Sequence, residues 1–198
     1  MLVHEVRNHL TVIQMSVNAT FRNSERDTAN EVVRDLGALI QDCQRFSRIE
    51  RGVWQPVFAP TDLASVVFAT LADLKDEDRF EVDYDGAPVA ICDAAMLGVA
   101  LGSLVDEVCR LSETKTKIRL AICGDEHAGW TISVAGHGQR HWPAPLSLAH
   151  ADDTMANRSS LALAIAKGII ELLGGRLGLE HRGKDIRCTL TLPSGSAS

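Results

Sequence analysis

Apolar residues recur with one period up to about Gly52 of this 198-residue chain and with another beyond about Pro56, and that switch calls for two folding units. In the first stretch Val3, Val6, Leu10, Ile13 and Val17 fall at i, i+3, i+7, i+10 and i+14, one narrow stripe of the bundle kind. Asn23-Ser24 supplies a break, with Ser24 as a cap and Asp27 at its third position. The stripe resumes at Val32, Leu36, Leu39, Cys43 and Phe46, widened by Val33 and Ile40, and Gly52 is a stop signal. Two helices with one apolar face each enclose no core alone. A second copy of the hairpin completes a four-helix bundle most simply, so a homodimer through residues 1–52 is expected; packing on the rest of the same chain is the alternative.

Beyond Pro56 the pattern is mixed. Thr61-Asp62 precedes an apolar helix (Leu63, Val66, Val67, Thr70, Leu71, Leu74). Phe80–Tyr84 alternates as a strand, is turned by Asp85-Gly86 and is followed by Val89-Ala90-Ile91. A helix is expected over 94–111, strands over Lys117–Cys123 and Trp130–Val134, and then a loop rich in Gly, His and Pro. A helix from about Ser160 to Leu173 ends at Gly174-Gly175, and strands Arg176–His181 and Ile186–Leu192 close the chain. The fold class is therefore α+β: a helical hairpin (1–55), an α/β sandwich with helices on one face of a mostly antiparallel sheet (56–193), and a short tail (194–198).

Composition narrows the function. A formal net charge of −6 with no basic stripe argues against nucleic acid. No apolar run approaches the roughly 18 residues of a membrane span, and no signal peptide precedes the first motif, so a cytoplasmic protein is expected. Five cysteines (Cys43, Cys92, Cys109, Cys123, Cys188) form no CxxC pair, which favours reduced thiols over disulfides or zinc. His137 and His141 share an i, i+4 spacing, but the glycines and Pro143 around them favour a loop, and no metal site is expected. Asp106-Glu107 reads as a solvated or capping pair, and Trp54 and Trp130 as packing residues.

The segment His4-Glu5-Val6-Arg7-Asn8-His9-Leu10 carries the chemistry. A phosphoacceptor histidine presents a neutral ring nitrogen to phosphorus, and an adjacent carboxylate holds the other ring N–H and stabilises the charged product. Glu5 is placed for that role. His4 lies one residue off the apolar stripe, on its solvent flank, and Asn8 faces the same way at i+4. Arg7 either offers a guanidinium to a phosphoryl oxygen or is solvated.

Together these residues resemble the sensor histidine kinase family over essentially the whole chain. The His4 segment resembles its H-box, and Phe46-Ser47-Arg48-Ile49-Glu50-Arg51-Gly52 the end of its second dimerisation helix. Val89 through Leu97 is similar to the lead into its ATP-binding half, and Leu101 through Ser112 to its N-box helix. Ala135-Gly136-His137-Gly138 and Leu161-Ala162-Leu163-Ala164-Ile165 sit where two glycine boxes belong, and Gly174-Gly175-Arg176-Leu177 with Thr189-Leu190-Thr191-Leu192-Pro193 resembles the closing hairpin. The resemblance implies a sandwich of the histidine-kinase ATPase type and response-regulator receiver domains as partners. It also implies that Asn8 positions a water for hydrolysis of a receiver's phospho-aspartate.

The departures are specific. Family asparagines that hold magnesium and phosphate are replaced by Ser103 and Glu107, the adenine-accepting aspartate by Ala135, and glycines of the second box by Ser160 and Ala162. A lost charged acceptor is worth about 1.5–3 kcal/mol. The loop Gln139 to Arg158 is short for a nucleotide lid and stiffened by His141, Trp142, Pro143 and Pro145. Only three residues precede His4, fewer turns than the family's helix has, so either the chain was cut there or no sensor feeds this helix. The expectation is a histidine phosphotransferase that relays phosphoryl groups between His4 and receiver aspartates, binds no ATP or metal itself, and leaves magnesium to the receiver. The alternatives are a histidine kinase with a diverged nucleotide site and a non-enzymatic receiver-binding module.

Overall fold

The structure is a computed structural model that describes residues 23–72, 74, 77–138 and 154–194. Contacts divide the chain between Ser47 and Arg48 into two units.

The described part of the first unit is helix α1, Asn23–Glu50, whose last residues belong to the second unit. Ser24 lies inside this helix and not at its cap, and the segment before Asn23, where the break is expected, lies outside the described residues. The far end stops where the sequence predicts. Gly52 has φ +62°, which spares a Cβ clash, and the Gly52 and Val53 N–H groups donate to Ile49 and Arg48 carbonyls at 2.9 and 3.1 Å. Along α1, Val32 is 62% exposed and Leu36 45% exposed, and Cys43 is exposed too. The bundle expected from these positions depends on residues 1–22 and a second copy, outside the described residues.

The second unit is a five-stranded sheet under a layer of three helices. Strand β1 (Ala59–Asp62) leads into α2 (Leu63–Ala72), and a 3₁₀ turn (Glu77–Arg79) leads into β2 (Phe80–Tyr84). Then come β3 (Val89–Cys92), α3 (Ala94–Leu111), β4 (Ile118–Asp125), β5 (Gly129–His137), α4 (Thr154–Leu172), β6 (Arg176–Arg182) and β7 (Asp185–Leu192). The main sheet runs β2-β4-β5-β7-β6, with β2 and β4 parallel and the other neighbours antiparallel.

Three sequence expectations change. Phe80–Tyr84 and Val89–Cys92 do not form a hairpin: β3 pairs with β1 in a separate two-stranded sheet, and Asp85-Gly86 turns the chain from one sheet to the other. The β1 segment carries Pro60 and only four residues, so it has no alternation to reveal it; it is held as an edge by Thr61, whose hydroxyl donates to the Cys92 carbonyl at 3.0 Å. Strand β5 continues through Ala135, Gly136 and His137, which are paired with Arg187, Ile186 and Asp185 instead of opening the loop.

Strand alternation decides which side is covered. Ile118, Leu120 and Ile122 of β4, Trp130, Ile132 and Val134 of β5, and Ile186, Cys188, Leu190 and Leu192 of β7 are buried. They meet Met96, Leu97, Leu101, Leu104 and Val108 of α3 and Ile165, Ile169 and Ile170 of α4 in one core. The odd-numbered residues of β4, β5 and β7 point to the other side, over which no described element of the second unit is layered. Burial pushes the Cys188 thiol up to about 12 despite hydrogen bonds from the backbone of Val134 and its own. At the end of α4, Gly174 has φ +77° and Gly175 N–H donates to the Ile170 carbonyl at 2.8 Å, closing the helix as the Gly174-Gly175 pair predicts.

Candidate functional site

His4, Glu5, Arg7 and Asn8 lie outside the described residues, as do His141, Trp142, Pro143 and Pro145. What the fold places are the positions that the family resemblance assigns to a nucleotide: Ser103 and Glu107 on α3, Ala135, Gly136 and Gly138 at the end of β5, and Ser160 and Ala162 on α4.

Helix α3 begins at a built N-cap. The Asp93 carboxylate accepts from Met96 N–H at 3.0 Å and from Val57 N–H at 2.9 Å, so one side chain caps the helix and ties down the segment that leads out of α1. Desolvation pushes the Asp93 carboxyl upward, but the N–H donors of Val57, Met96 and Ala95 outweigh it and hold it below the usual range.

Two turns on, the polar groups of α3 are satisfied by α3 itself. Ser103 Oγ donates to the Val99 carbonyl at 3.1 Å, the back-bond to residue i−4 that mid-helix serines adopt. Glu107 is not the solvated residue the sequence suggests: it is 4% exposed, while Asp106 beside it is exposed. Arg110 one turn later is the reason. Its Nε donates to Glu107 Oε2 at 3.0 Å and its Nη2 to Oε1, a fork-to-fork pair that engages both carboxylate oxygens. The E-x-x-R spacing is the signal in the sequence that points to this pair.

Strand parity sets Ala135 apart from Ser103 and Glu107. On β5 the helix-facing residues are Trp130, Ile132 and Val134, so by parity Gly136 faces α3 and Ala135 faces the uncovered side. A side chain at 135 points away from Ser103 and Glu107 and cannot share a ligand with them. The neighbours of Ala135 on their side are Val134, itself fully buried, and Gly136, where no room remains: a Cβ would collide with Ser112 Oγ and lie 2.9 Å from Val108 Cγ1. Ser112 Oγ, buried against this glycine, has no hydrogen-bond partner among the described residues. Gly138 is equally close, with a Cβ meeting the Leu111 carbonyl oxygen and, at 2.9 Å, Ser112 Cα. A hydrogen bond from Glu113 N–H to the His137 carbonyl (2.9 Å) locks the strand end onto the end of α3, and one from Gly138 N–H to the Lys184 carbonyl (2.8 Å) ties it to the turn between β6 and β7.

The second glycine box is altered more deeply than its composition shows. Helix α4 starts at Thr154, about two turns before the expected Ser160, so Ser160 and Ala162 lie well inside it. Only the first four N–H groups of a helix are free for a ligand. The backbone donors of residues 160 and 162 are therefore committed within the helix, and the half-buried Ala162 adds a methyl group. His137, in place of a loop residue, holds Asp185 across the strand pair through Nδ1 at 3.1 Å. Trp54 is half-buried under the Arg48 guanidinium, 4.9 Å from the ring centre, and Trp130 is buried: both are packing residues, as expected.

No protein-family model and no curated protein sequence matches the chain. Solved structures do. The chain superposes on Acinetobacter baumannii histidine kinase AdeS with a TM-score of 0.70 at 21% identity, over 98% of each chain. The fold is that of a histidine kinase core. Full-length ShkA in complex with AMPPNP gives a TM-score of 0.70 at 19% identity over 97% of this chain, which spans 44% of ShkA. The catalytic domain of histidine kinase ThkA, in a nucleotide-free form, gives 0.57 at 19% identity over 70% of this chain and 96% of that domain. At these identities the likeness carries the histidine-kinase fold, and the chemistry has to come from the residues in place.

Proposed function

We propose that this chain is a histidine phosphotransferase of a two-component phosphorelay, built on a histidine kinase fold that has given up its nucleotide. The observation that carries this reading is the Glu107–Arg110 pair: at a position that the resemblance assigns to magnesium and phosphate, the carboxylate is buried and both its oxygens are taken by a guanidinium of the same helix. Gly136 without room for a side chain, Ser103 turned onto its own helix, and residues 160 and 162 inside α4 support the same reading. A magnesium–nucleotide complex does not fit residues disposed in this way.

In the proposed reaction His4 attacks the phosphorus of a receiver's aspartyl phosphate. The new P–N bond forms as the P–O bond to the aspartate breaks, and the aspartate leaves as a carboxylate. A second receiver's aspartate then takes the phosphoryl group from His4 by the reverse step. Positioning and charge neutralisation carry such a transfer. Glu5 holds the imidazole N–H opposite the attacking nitrogen, Arg7 neutralises phosphoryl charge, and the magnesium belongs to the receiver. The apolar stripe of α1 pairs with a second copy to give the dimeric bundle, and the sandwich serves as a docking surface beside it.

Two assays test this. Incubation with labelled ATP and magnesium is expected to leave His4 unlabelled, while a phosphorylated receiver is expected to label it, with no transfer to His4→Ala. ATP-dependent labelling of His4 would establish the kinase reading, which the likeness to AMPPNP-bound ShkA favours. Biological function intact in His4→Ala would leave a receiver-binding module without transfer.

A further inference from the structure

The uncovered face of the main sheet carries an ordered row of charges. Register places Glu81 opposite Arg119, Arg119 opposite Ala135, Ala135 opposite Arg187, and Arg187 opposite Glu180, so one line across five strands reads acid, base, methyl, base, acid. Arg119 Nε donates to Glu81 Oε2 at 3.1 Å. Arg187 forms no ion pair with any described residue. Its two outer neighbours are engaged elsewhere: Glu180 Oε2 lies 3.5 Å from Arg182 Nη2, and Asp185 Oδ1 accepts from His137.

The centre of this row lacks its acidic member. Arg119 and Arg187 sit one strand to either side of Ala135, so their Cα atoms are roughly 10 Å apart, with only a methyl group between them. Both arginines and Ala135 line an open cleft of about 620 Å³. Lys117 and Arg182 also line it, so four cations stand against Glu180, Asp185 and the Glu81 held by Arg119, an excess of one positive charge in a chain of net −6.

We propose that this cleft binds a phosphate dianion between Arg119 and Arg187, over Ala135. A tetrahedral oxyanion can accept from guanidinium groups on opposite sides at once. The site lies on the face of the sheet opposite α3 and α4, away from Ser103 and Glu107. The phosphate can be free, as in a small phosphorylated or pyrophosphate compound, or carried on a phosphorylated side chain of a partner; the recognition chemistry is the same.

Amide NMR shifts of the full chain, followed during titration with inorganic pyrophosphate and, separately, with a short phosphoserine peptide, test the site. Saturable shifts centred on Arg119, Ala135 and Arg187 are expected with at least one probe, and the tighter of the two assigns the source. Arg187→Ala should weaken binding about tenfold or more. Ala135→Asp puts the missing carboxylate into the cleft, so it should abolish binding while leaving the rest of the spectrum unchanged. The proposal is overturned by shifts that do not saturate, that sodium chloride at equal ionic strength reproduces, or that persist unchanged in both variants.

Discussion

Removing Arg110 should be the most damaging single change outside the apolar core, because it strands a buried carboxylate. Glu107 is 4% exposed and draws both of its hydrogen bonds from the Arg110 fork, so Arg110→Ala leaves a charge in the helix layer with no donor. Breaking a buried pair from one side costs about 3–5 kcal/mol. Arg110 keeps 29% of its side-chain exposure and water can reach part of the gap, which argues for the low end, about 3 kcal/mol. For a unit of roughly 150 residues each kcal/mol is worth about 2–4 °C in Tm, so the drop should be roughly 6–12 °C. Replacing both partners, as Glu107→Leu with Arg110→Leu, removes the stranded charge along with the pair and should recover most of that loss. Thermal and urea unfolding of wild type, both single variants and the double variant form the cycle. A single variant that loses less than about 2 °C, or a double variant that loses the sum of the two singles, would refute a buried, mutually dependent pair.

Restoring the residue that a nucleotide site needs should fail at Gly136: Gly136→Asp places a side chain into Ser112 and Val108 and should cost about 2–4 kcal/mol, with no gain of nucleotide affinity by calorimetry. Asp93→Ala removes the α3 cap and the Val57 anchor and should cost about 1–2 kcal/mol in chemical denaturation. The Asp93 carboxyl is held low in the folded state, so its contribution is complete above the unfolded carboxylate range near 4 and is lost as pH falls through the lower folded value. Asp93→Asn should therefore flatten the fall in stability below pH 4, and an unchanged acid limb would contradict this assignment. Thiol labelling of the native protein at pH 8 should modify exposed Cys123 rapidly and leave buried Cys188, pushed up to about 12, unmodified. Cys43 should become labelled only on dilution, because the α1 stripe that carries it is covered in the proposed dimer; concentration-independent labelling would count against that dimer.

Much of the architecture was legible because it rests on short-range signals. Helix α3 matches its expected span of 94–111, bounded by the Asp93 cap at one end and a polar run after Leu111 at the other. The strands of the second half carry period-2 alternation, and Gly52 and Gly174-Gly175 mark helix ends through φ or hydrogen bonding that glycine permits. What sequence could not supply was partner choice. Local pattern shows that Phe80–Tyr84 and Val89–Cys92 are strands, but their assignment to different sheets depends on β4 and β1, distant in sequence. The start of α4 was missed because Thr154 to Arg158 carries no sustained apolar period. Glu107 was misjudged for a similar reason: whether a helical glutamate is solvated depends on which face the helix buries, and only the three-residue spacing to Arg110 hinted at a pair.

Ala135 shows how much one residue matters on a strand. Successive side chains leave a sheet on opposite sides, so moving an assignment from 136 to 135 carries it from the helix layer to the open face. As a member of the first glycine box, Ala135 is a lost acceptor for adenine. In the register of the sheet it is the small residue between Arg119, which Glu81 holds from the far side, and Arg187, which has no ion pair among the described residues. The aspartate variant separates these two accounts cleanly. A carboxylate at 135 that restored nucleotide binding would place that position on the helix side. One that instead raised stability through Arg119 and Arg187, with nucleotide affinity unmoved, would place it on the charged face, where the strand parity puts it.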